Sequence, residues 1–299
     1  MNKSIIRTIL LLPLILSLEA CLKKSNMNID PDTAGSVILL TPTGNNQATS
    51  SSQYFRYYTD LGAIGAGDSA HFNINVSYSG SQAAPQDITV TLTLDNAALD
   101  TYNSQDGVDY IIPPTSAFRL PTTVIIKKGT QMTQVKATVI RSADYDFGES
   151  YALPVKIASS SVGTVSTNLS TSMYSFGVRN QYDGHYSFKG YTLRSGDGVK
   201  TGNFSYSKGL DLVTVGSNSV TFGDYQLWAD LTAVGIGYPI ISVNTDNSIS
   251  NNSSGGAYNL PGYKNYYDPA SKTFYVGFTW GAGPSARVAI DTLTFAHER

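Results

Sequence analysis

The chain has 299 residues, a formal net charge of −2 at pH 7, and 41% hydrophobic against 14% charged residues. This length is sufficient for two domains of ordinary size. Because the sequence carries neither a net positive charge nor a run of basic residues, nucleic acid is not expected as a partner.

The first twenty residues have the pattern of a secretion signal. Lys3 and Arg7 provide a basic start, and a short apolar run interrupted only by Pro13 follows them. The run is too short to cross a bilayer as a helix, and no later segment is long and apolar enough to do so. We therefore predict a signal peptide over residues 1–20.

Cys21 is the only cysteine of the chain, and Leu18-Glu19-Ala20 precedes it. This segment resembles the lipobox of bacterial lipoproteins, although Glu19 stands where that pattern prefers a small or apolar residue. The resemblance implies cleavage before Cys21 and lipidation of its thiol, which would hold the protein on a membrane. Residues 21–35 would then be a lipidated N-terminus and a polar tether. A single cysteine also excludes a disulfide within the chain.

Residues 36–180 are predicted to form the first domain. Apolar side chains alternate with polar ones in this half, for example over 71–78 and 87–94. Such alternation indicates half-buried strands, which typically belong to antiparallel sheets. A helix is predicted over 96–105. Asn96 would cap its start and Gly107 would end it. Several strands with one short helix predict an immunoglobulin-like β-sandwich.

Residues 181–299 are predicted to form a second antiparallel β domain, and the pattern leaves open whether it is a sandwich or a barrel. The candidate strands are 184–193, 203–215, 218–230, 238–243, 273–280 and 287–295. The stretch 244–262 is dominated by Asn, Ser and Gly and is predicted to be a long loop. The predicted fold class is therefore all-β, with two consecutive domains.

Several segments carry a resemblance to a known family. They include Asp87-Ile88-Thr89-Val90-Thr91-Leu92, Val124-Ile125-Ile126-Lys127-Lys128-Gly129 and Tyr151-Ala152-Leu153-Pro154-Val155. They resemble the N-terminal domain, of unassigned function, that many Bacteroidetes lipoproteins carry. Genes for these lipoproteins often lie in polysaccharide-utilisation loci. The run from Tyr266 to Trp280 resembles the β-rich domain that often follows. The resemblance implies glycan binding at the cell surface beside an outer-membrane importer.

The side of the membrane is set by the residues after the cysteine. Members of this family that reach the outer face often carry acidic residues there, whereas Lys23 and Lys24 stand there in this chain. We expect an outer-membrane lipoprotein that faces the cell surface, with the periplasmic face as the open alternative.

Few side chains suit catalysis. A glycosidase usually needs two carboxyl groups across the scissile bond. The candidate pairs are Asp106 with Asp109 and Asp144 with Asp146, and turn-forming aspartates account for both pairs better. The histidines lie far apart in the sequence, without the spacing of metal ligands. They are His71, His185 and His297. We therefore predict no enzymatic activity, no metal and no cofactor.

Aromatic side chains are the remaining candidates for function, and the chain has 20 tyrosines. The apolar face of a sugar stacks on aromatic rings, while amides and hydroxyls bind its rim. The predicted glycan-binding residues are Trp228, Tyr258, Tyr263, Tyr266, Tyr267 and Trp280. For each of them a place in the hydrophobic core is the alternative. The leading hypothesis is a surface protein that binds a polysaccharide or oligosaccharide. A structural or protein-interaction lipoprotein is the second hypothesis, and a divergent hydrolase is the third.

Overall fold

A computed structural model describes residues 35–42, 47–48, 51–224, 226–252, 256–281 and 286–299. The predicted signal peptide, Cys21 and nearly all of the predicted tether lie outside the described residues. Within these ranges the structure is formed almost entirely of β-strands, which confirms the predicted all-β class.

The first two sheets use residues between Val37 and Arg179. Their strands are β1 (Val37–Thr41), β2 (Gln47–Ala48), β3 (Phe55–Ala63), β4 (Ser69–Ser79), β5 (Ile88–Leu94), β6 (Tyr110–Ile111), β7 (Phe118–Arg119), β8 (Thr123–Ile126), β9 (Met132–Ile140), β10 (Ser150–Ser160), β11 (Thr164–Val165) and β12 (Thr171–Arg179). One sheet has the order β11-β1-β4-β9-β7. The other has the order β2-β3-β12-β10-β5-β8, and β6 pairs with β10 outside this path.

These two sheets form a sandwich around one hydrophobic core. Ile74 of β4 and Val135 of β9 enter this core from the first sheet, and Leu153 of β10 and Val90 of β5 enter it from the second. The alternation in the sequence explains this packing, because every second side chain of each strand points to the same face.

Three strand pairs of the sandwich are parallel, whereas the sequence pattern predicted antiparallel sheets throughout. They are β1 with β11, β3 with β12, and β6 with β10. Period-two alternation reports which face of a strand is buried and not the direction of its neighbour. Each of these pairs joins strands separated by long connections, and only short hairpin connections force an antiparallel arrangement.

The predicted helix is present as α1 (Asn96–Asp106). Its cap is Asp95 and not the predicted Asn96, since the Ala98 N–H donates to Asp95 Oδ1 at 3.1 Å. The helix ends at Gly107 as predicted, and Gly107 has the left-handed φ of 65° that favours glycine. The buried residues Leu99 and Tyr102 attach the helix to the outer surface of the second sheet.

The third sheet uses residues 184–297. Its strands are β13 (Gly184–Arg194), β14 (Gly202–Thr214), β15 (Ser219–Phe222), β16 (Ile240–Val243), β17 (Ile249–Asn252), β18 (Tyr258–Asn259), β19 (Tyr266–Asp268), β20 (Thr273–Trp280) and β21 (Arg287–His297). They follow the order β18-β17-β16-β15-β14-β13-β21-β20-β19. Because β18 also pairs with β20, the sheet closes into a barrel, which answers the question that the sequence left open.

Two sequence predictions for this half are wrong in detail. The strand predicted over 218–230 ends at Phe222, and the predicted loop over 244–262 contains β17 and β18. Asn251 shows why the second segment is ordered, because its backbone N–H donates to Asn259 Oδ1 at 2.8 Å. Amide side chains thus hold together two short strands that have no apolar alternation to reveal them.

In the described part of the chain no helix has the length and hydrophobicity that crossing a bilayer requires.

Candidate functional site

The outward face of the barrel carries a continuous row of five side chains. The strand register places Tyr266 of β19 opposite Tyr275 of β20, and Tyr275 opposite Thr292 of β21. Thr292 lies opposite Lys189 of β13, which lies opposite Ser205 of β14. We call these five residues the outer row. With strands about 4.8 Å apart, the row extends over about 19 Å.

The outer row faces solvent because its neighbours along each strand face the core. Phe274, Leu293 and Phe188 each precede or follow a row residue, and all three are buried in the barrel core. A strand that buries one side chain exposes the next. The row is therefore a direct result of local alternation, but its assembly requires the register of five strands.

A groove follows the outer row over β13, β14 and β21. One part has a volume of about 470 Å³ and is lined by His185, Ser187, Phe188, Lys189, Ser205, Tyr206, Ser207, Lys208, Gly209, Thr294 and Ala296. A second part, of about 380 Å³, is lined by Lys189, Gly190, Tyr191, Asn203, Phe204, Ile290 and Thr292. Both parts include Lys189, so they form one surface, which we call the outer groove. Its lining combines serine and threonine hydroxyls with lysine ammonium groups.

A pair of tyrosines stands at the β19 end of the outer row. The rings of Tyr266 and Tyr275 are stacked, with centroids 4.6 Å apart and planes at 14°. Lys264 Nζ lies 5.6 Å from the centroid of Tyr266. Partial burial and the neighbouring hydroxyl of Tyr275 raise the pKa of Tyr266. Both rings are half-buried, and each covers one face of the other, so they form a compact aromatic cluster that we call the tyrosine platform.

Tyr263 extends this platform along β20. Its ring covers Gly277 so closely that a Cβ on Gly277 would come within 2.6 Å of the ring. The turn that delivers Tyr263 begins at Leu260, and the Tyr263 N–H donates to the Leu260 carbonyl at 3.1 Å. Gly262 has a φ of 79° in this turn, which favours glycine.

Asn265 fixes the segment between the two surface tyrosines. Its side chain is buried, and its Oδ1 accepts a hydrogen bond from the Gly277 N–H. The Asn265 carbonyl accepts a second bond from the Ile249 N–H at 3.2 Å. Tyr263 and Tyr266 therefore stand on a segment that is bonded both to β20 and to β17.

Two histidines meet at the opposite end of the outer groove. The rings of His185 and His297 are stacked, with centroids 4.7 Å apart. His185 Nδ1 lies 2.7 Å from Asp211 Oδ1. The pairing of β13 with β21 brings the histidines together although 111 residues separate them in the sequence. Among the described residues no group of three or more His, Cys, Asp or Glu side chains could hold a metal ion.

Three of the predicted glycan-binding residues are in the barrel core. Trp228 and Trp280 pack against each other with centroids 5.5 Å apart, and Tyr267 packs against Phe274. All three are at most 8% exposed, so no ligand from solvent can stack on their rings. Aromatic rings bury the largest apolar area of any side chain, and the closed barrel takes them into its interior.

The remaining predicted residues lie on the outer surface. Tyr258 is 51% exposed on β18, and Tyr263 and Tyr266 are half-buried beside the outer row. The prediction omitted Tyr275, Lys189 and most of the polar row. The alternation of Tyr275 with Phe274 was a usable signal for its exposure, but its contact with Tyr266 was visible only through the strand register.

Three of the aspartates considered for catalysis accept hydrogen bonds from neighbouring groups. Asp144 accepts a hydrogen bond from Ser116 Oγ at 2.9 Å, and Asp146 accepts one from the Gly148 N–H at 2.8 Å. Asp106 accepts a bond from the Ser51 N–H at 2.7 Å. The Asp146 bond fits the turn-forming role that the sequence favoured, whereas Asp106 ends α1 and the Asp144 bond joins residues 28 positions apart.

Comparisons with known proteins describe the fold. Residues 36–164, which are less than half of the chain, match a protein-family model described as an N-terminal domain. No curated protein matches the chain. A protein of unknown function from Bacteroides ovatus has a TM-score of 0.57 at 13% identity, covering 88% of this chain and 95% of that chain.

Two further solved structures are similar at lower TM-scores. A multidomain protein including DUF1735 from Bacteroides ovatus has a TM-score of 0.47 at 16% identity, covering 86% of this chain and 93% of that chain. An auxiliary nutrient binding protein from Bacteroides thetaiotaomicron has a TM-score of 0.43 at 14% identity, covering 85% of this chain and 94% of that chain. At such identities and TM-scores these two similarities do not identify a ligand.

Proposed function

We propose that this chain is a non-catalytic cell-envelope protein that binds a glycan chain along the outer row of its barrel. The observation that carries the proposal is the stacked pair Tyr266 and Tyr275, in register with Thr292, Lys189 and Ser205. An aromatic platform binds the apolar face of a sugar, and the hydroxyl and ammonium groups beside it bind the sugar's own hydroxyls.

The shape of the surface favours a chain over a single small molecule. The outer row extends over about 19 Å across five strands, and the groove beside it is open to solvent along its length. An enclosed pocket would bury most of a small ligand. An open row that begins with two aromatic rings and continues with polar groups can instead contact successive sugars of an oligosaccharide.

The place of the protein in the cell envelope is part of the same proposal. Cleavage before Cys21 and lipid on its thiol would anchor the mature chain to the outer membrane, as the lipobox-like segment implies. The expected side is the cell surface, where a bound polysaccharide could be passed to an importer. Lys23 and Lys24 keep the periplasmic side as the alternative.

Calorimetric titration tests the binding proposal. The mature protein without Cys21 is titrated with a panel of neutral and acidic polysaccharides. Tyr266→Ala and Tyr275→Ala should each weaken binding about tenfold, because removal of one stacked ring costs on the order of 1–2 kcal/mol. Tyr58→Ala is the matched control, since Tyr58 is 44% exposed on the sandwich and not on the barrel.

Two results would contradict the proposal. One is the absence of heat with every polysaccharide of the panel while the protein remains folded. The other is binding that Tyr58→Ala weakens as much as Tyr266→Ala does. If the titrations are silent and a porin-like protein co-purifies with the lipidated chain from detergent extracts, the protein-interaction hypothesis is favoured instead.

A further inference from the structure

We infer that the outer groove selects glycans with acidic groups, carboxylate or sulfate, over neutral ones. This inference rests on the proposed function and names the ligand class of the same surface. Its starting point is the charge of the groove, which differs from that of the whole chain. The chain is slightly acidic, with 20 basic and 22 acidic residues. The groove and its tyrosine platform carry Lys189, Lys208 and Lys264.

These three lysines have no carboxylate partner within 4 Å in the described part of the structure, whereas Lys127, Lys156 and Lys200 have one. Lys200 Nζ lies 3.0 Å from Asp230, and Lys156 Nζ lies 2.7 Å from Asp95. An ammonium group held in such a pair has its charge largely compensated. The groove lysines therefore keep their charge for a ligand.

Acidic side chains close to the groove are already engaged. Asp211 lies against His185, as described above, and Asp268 accepts bonds from Ser271 Oγ at 2.6 Å and the Ala270 N–H at 3.0 Å. Asp291 is fully buried and faces the barrel interior. No carboxylate is among the residues that line either part of the groove. A negatively charged sugar would therefore meet no carboxylate among the residues that line the groove.

Hydroxyl groups complete a site for an oxyanion. Ser187, Ser205, Ser207 and Thr294 line the same part of the groove as Lys189 and Lys208. A hydroxyl can donate a hydrogen bond to a carboxylate or sulfate oxygen, and bonds to charged acceptors are the stronger ones. Lysine supplies the charge, and the hydroxyls supply the directional contacts.

Carboxylate and sulfate share this chemistry, and the experiment separates them. Polygalacturonate serves as the carboxylate probe, dextran sulfate as the sulfate probe, and dextran as the neutral probe. Each is titrated into the mature protein without Cys21 at about 50 mM and about 300 mM salt. We expect the protein to bind an acidic probe. The affinity should fall several-fold at the higher salt, because the shorter Debye length screens the attraction between the charges.

The double variant Lys189→Gln/Lys208→Gln tests whether the preference for acidic probes comes from the outer groove. It should weaken binding of the acidic probe about tenfold at low salt, the sum expected for two exposed charge pairs. Lys136→Gln is the matched control, because Lys136 is an exposed lysine on β9 of the sandwich. Circular dichroism and the thermal midpoint establish that each variant is folded.

The outcomes separate this inference from the proposed function. Binding of dextran alone, weakened by Tyr266→Ala and unchanged in the double lysine variant, overturns the inference and leaves the proposed function standing. Acidic binding that the double variant and Lys136→Gln reduce equally also overturns it, since the charge effect would not belong to the groove. The absence of binding to all three probes and to the wider panel overturns both the inference and the proposed function.

Discussion

Asp291 is a carboxyl group inside the barrel wall. It is fully buried, and its one described hydrogen-bond partner is Gln226, whose Nε2 lies 3.4 Å from Asp291 Oδ1. Gly190 lies directly opposite on β13, where a Cβ would come within 2.5 Å of the same oxygen. Burial raises the pKa of Asp291 well above its usual range, so the protonated form is favoured in the folded state.

This burial predicts a pH-dependent stability. Because the pKa of Asp291 is raised on folding, its stabilising effect is complete below the pKa of the unfolded chain and is lost as the pH rises through the folded value. At pH 7 folding must protonate this carboxylate, which costs free energy. Asp291→Asn removes that cost and should raise the free energy of unfolding by on the order of 2 kcal/mol. Urea unfolding at pH 7 and at pH 4 measures this gain, which should shrink at the lower pH. A loss of stability at pH 7 would contradict the prediction.

The segment from Leu260 to Tyr267 shows how an element without sequence periodicity becomes ordered. Its backbone is held by Asn265, whose buried side chain accepts the Gly277 N–H and whose carbonyl accepts the Ile249 N–H. Bonds to β17 and β20 thus support Tyr263 and Tyr266, the two platform tyrosines of this segment. The order of the segment depends on the Asn265 amide together with the burial of Tyr267.

Removal of this amide should loosen the platform. Asn265→Ala leaves the buried Gly277 N–H without an acceptor, which costs about 1–3 kcal/mol. We expect faster hydrogen exchange in 260–267 and weaker glycan binding, while exchange in β13 and β21 stays slow. Asn73→Ala, at an exposed position on β4 of the sandwich, is the control. Unchanged exchange over 260–267 would show that Asn265 does not hold the segment.

The sandwich and the barrel meet at a charged junction. Asp183 has no exposed side-chain area, and it lies 3.6 Å from Arg179 Nη1 and 3.2 Å from Arg299 Nε. Arg179 also lies 3.2 Å from Asp60 on β3 of the sandwich. Asp183 further accepts a bond from the Thr214 N–H of the barrel at 2.7 Å. This network joins the last strand of the sandwich to both ends of the barrel chain.

The junction predicts coupled unfolding of the two halves. Asp183→Ala leaves two arginines without their buried partner, which should lower the free energy of unfolding by about 3–5 kcal/mol. Calorimetry should show one transition for the unchanged chain and two for the variant. Asp60→Asn, which removes an exposed partner, should cost at most about 1 kcal/mol and keep one transition. A single transition in Asp183→Ala would show that other contacts couple the halves.

Local sequence patterns determined much of this protein. Alternation located most of the long strands of both halves and placed Tyr275 and Phe274 on opposite faces of β20. Gly107 marked the end of the helix, because only a residue tolerant of positive φ fits there. These features depend on residues that are neighbours in the sequence, so the sequence of each segment is enough to predict them.

The tertiary structure decided which aromatic rings reach solvent. Trp228 and Trp280 were candidates for glycan binding with a place in the core as the alternative, and the barrel holds both in its core. The hairpin of β19 and β20 sets Tyr266 against Tyr275, and the pairing of β13 with β21, which are far apart in the chain, sets Lys189 against Thr292. A single sequence reports the face of each strand, whereas the row of side chains that a ligand would meet depends on strand order and register, which only the folded barrel fixes.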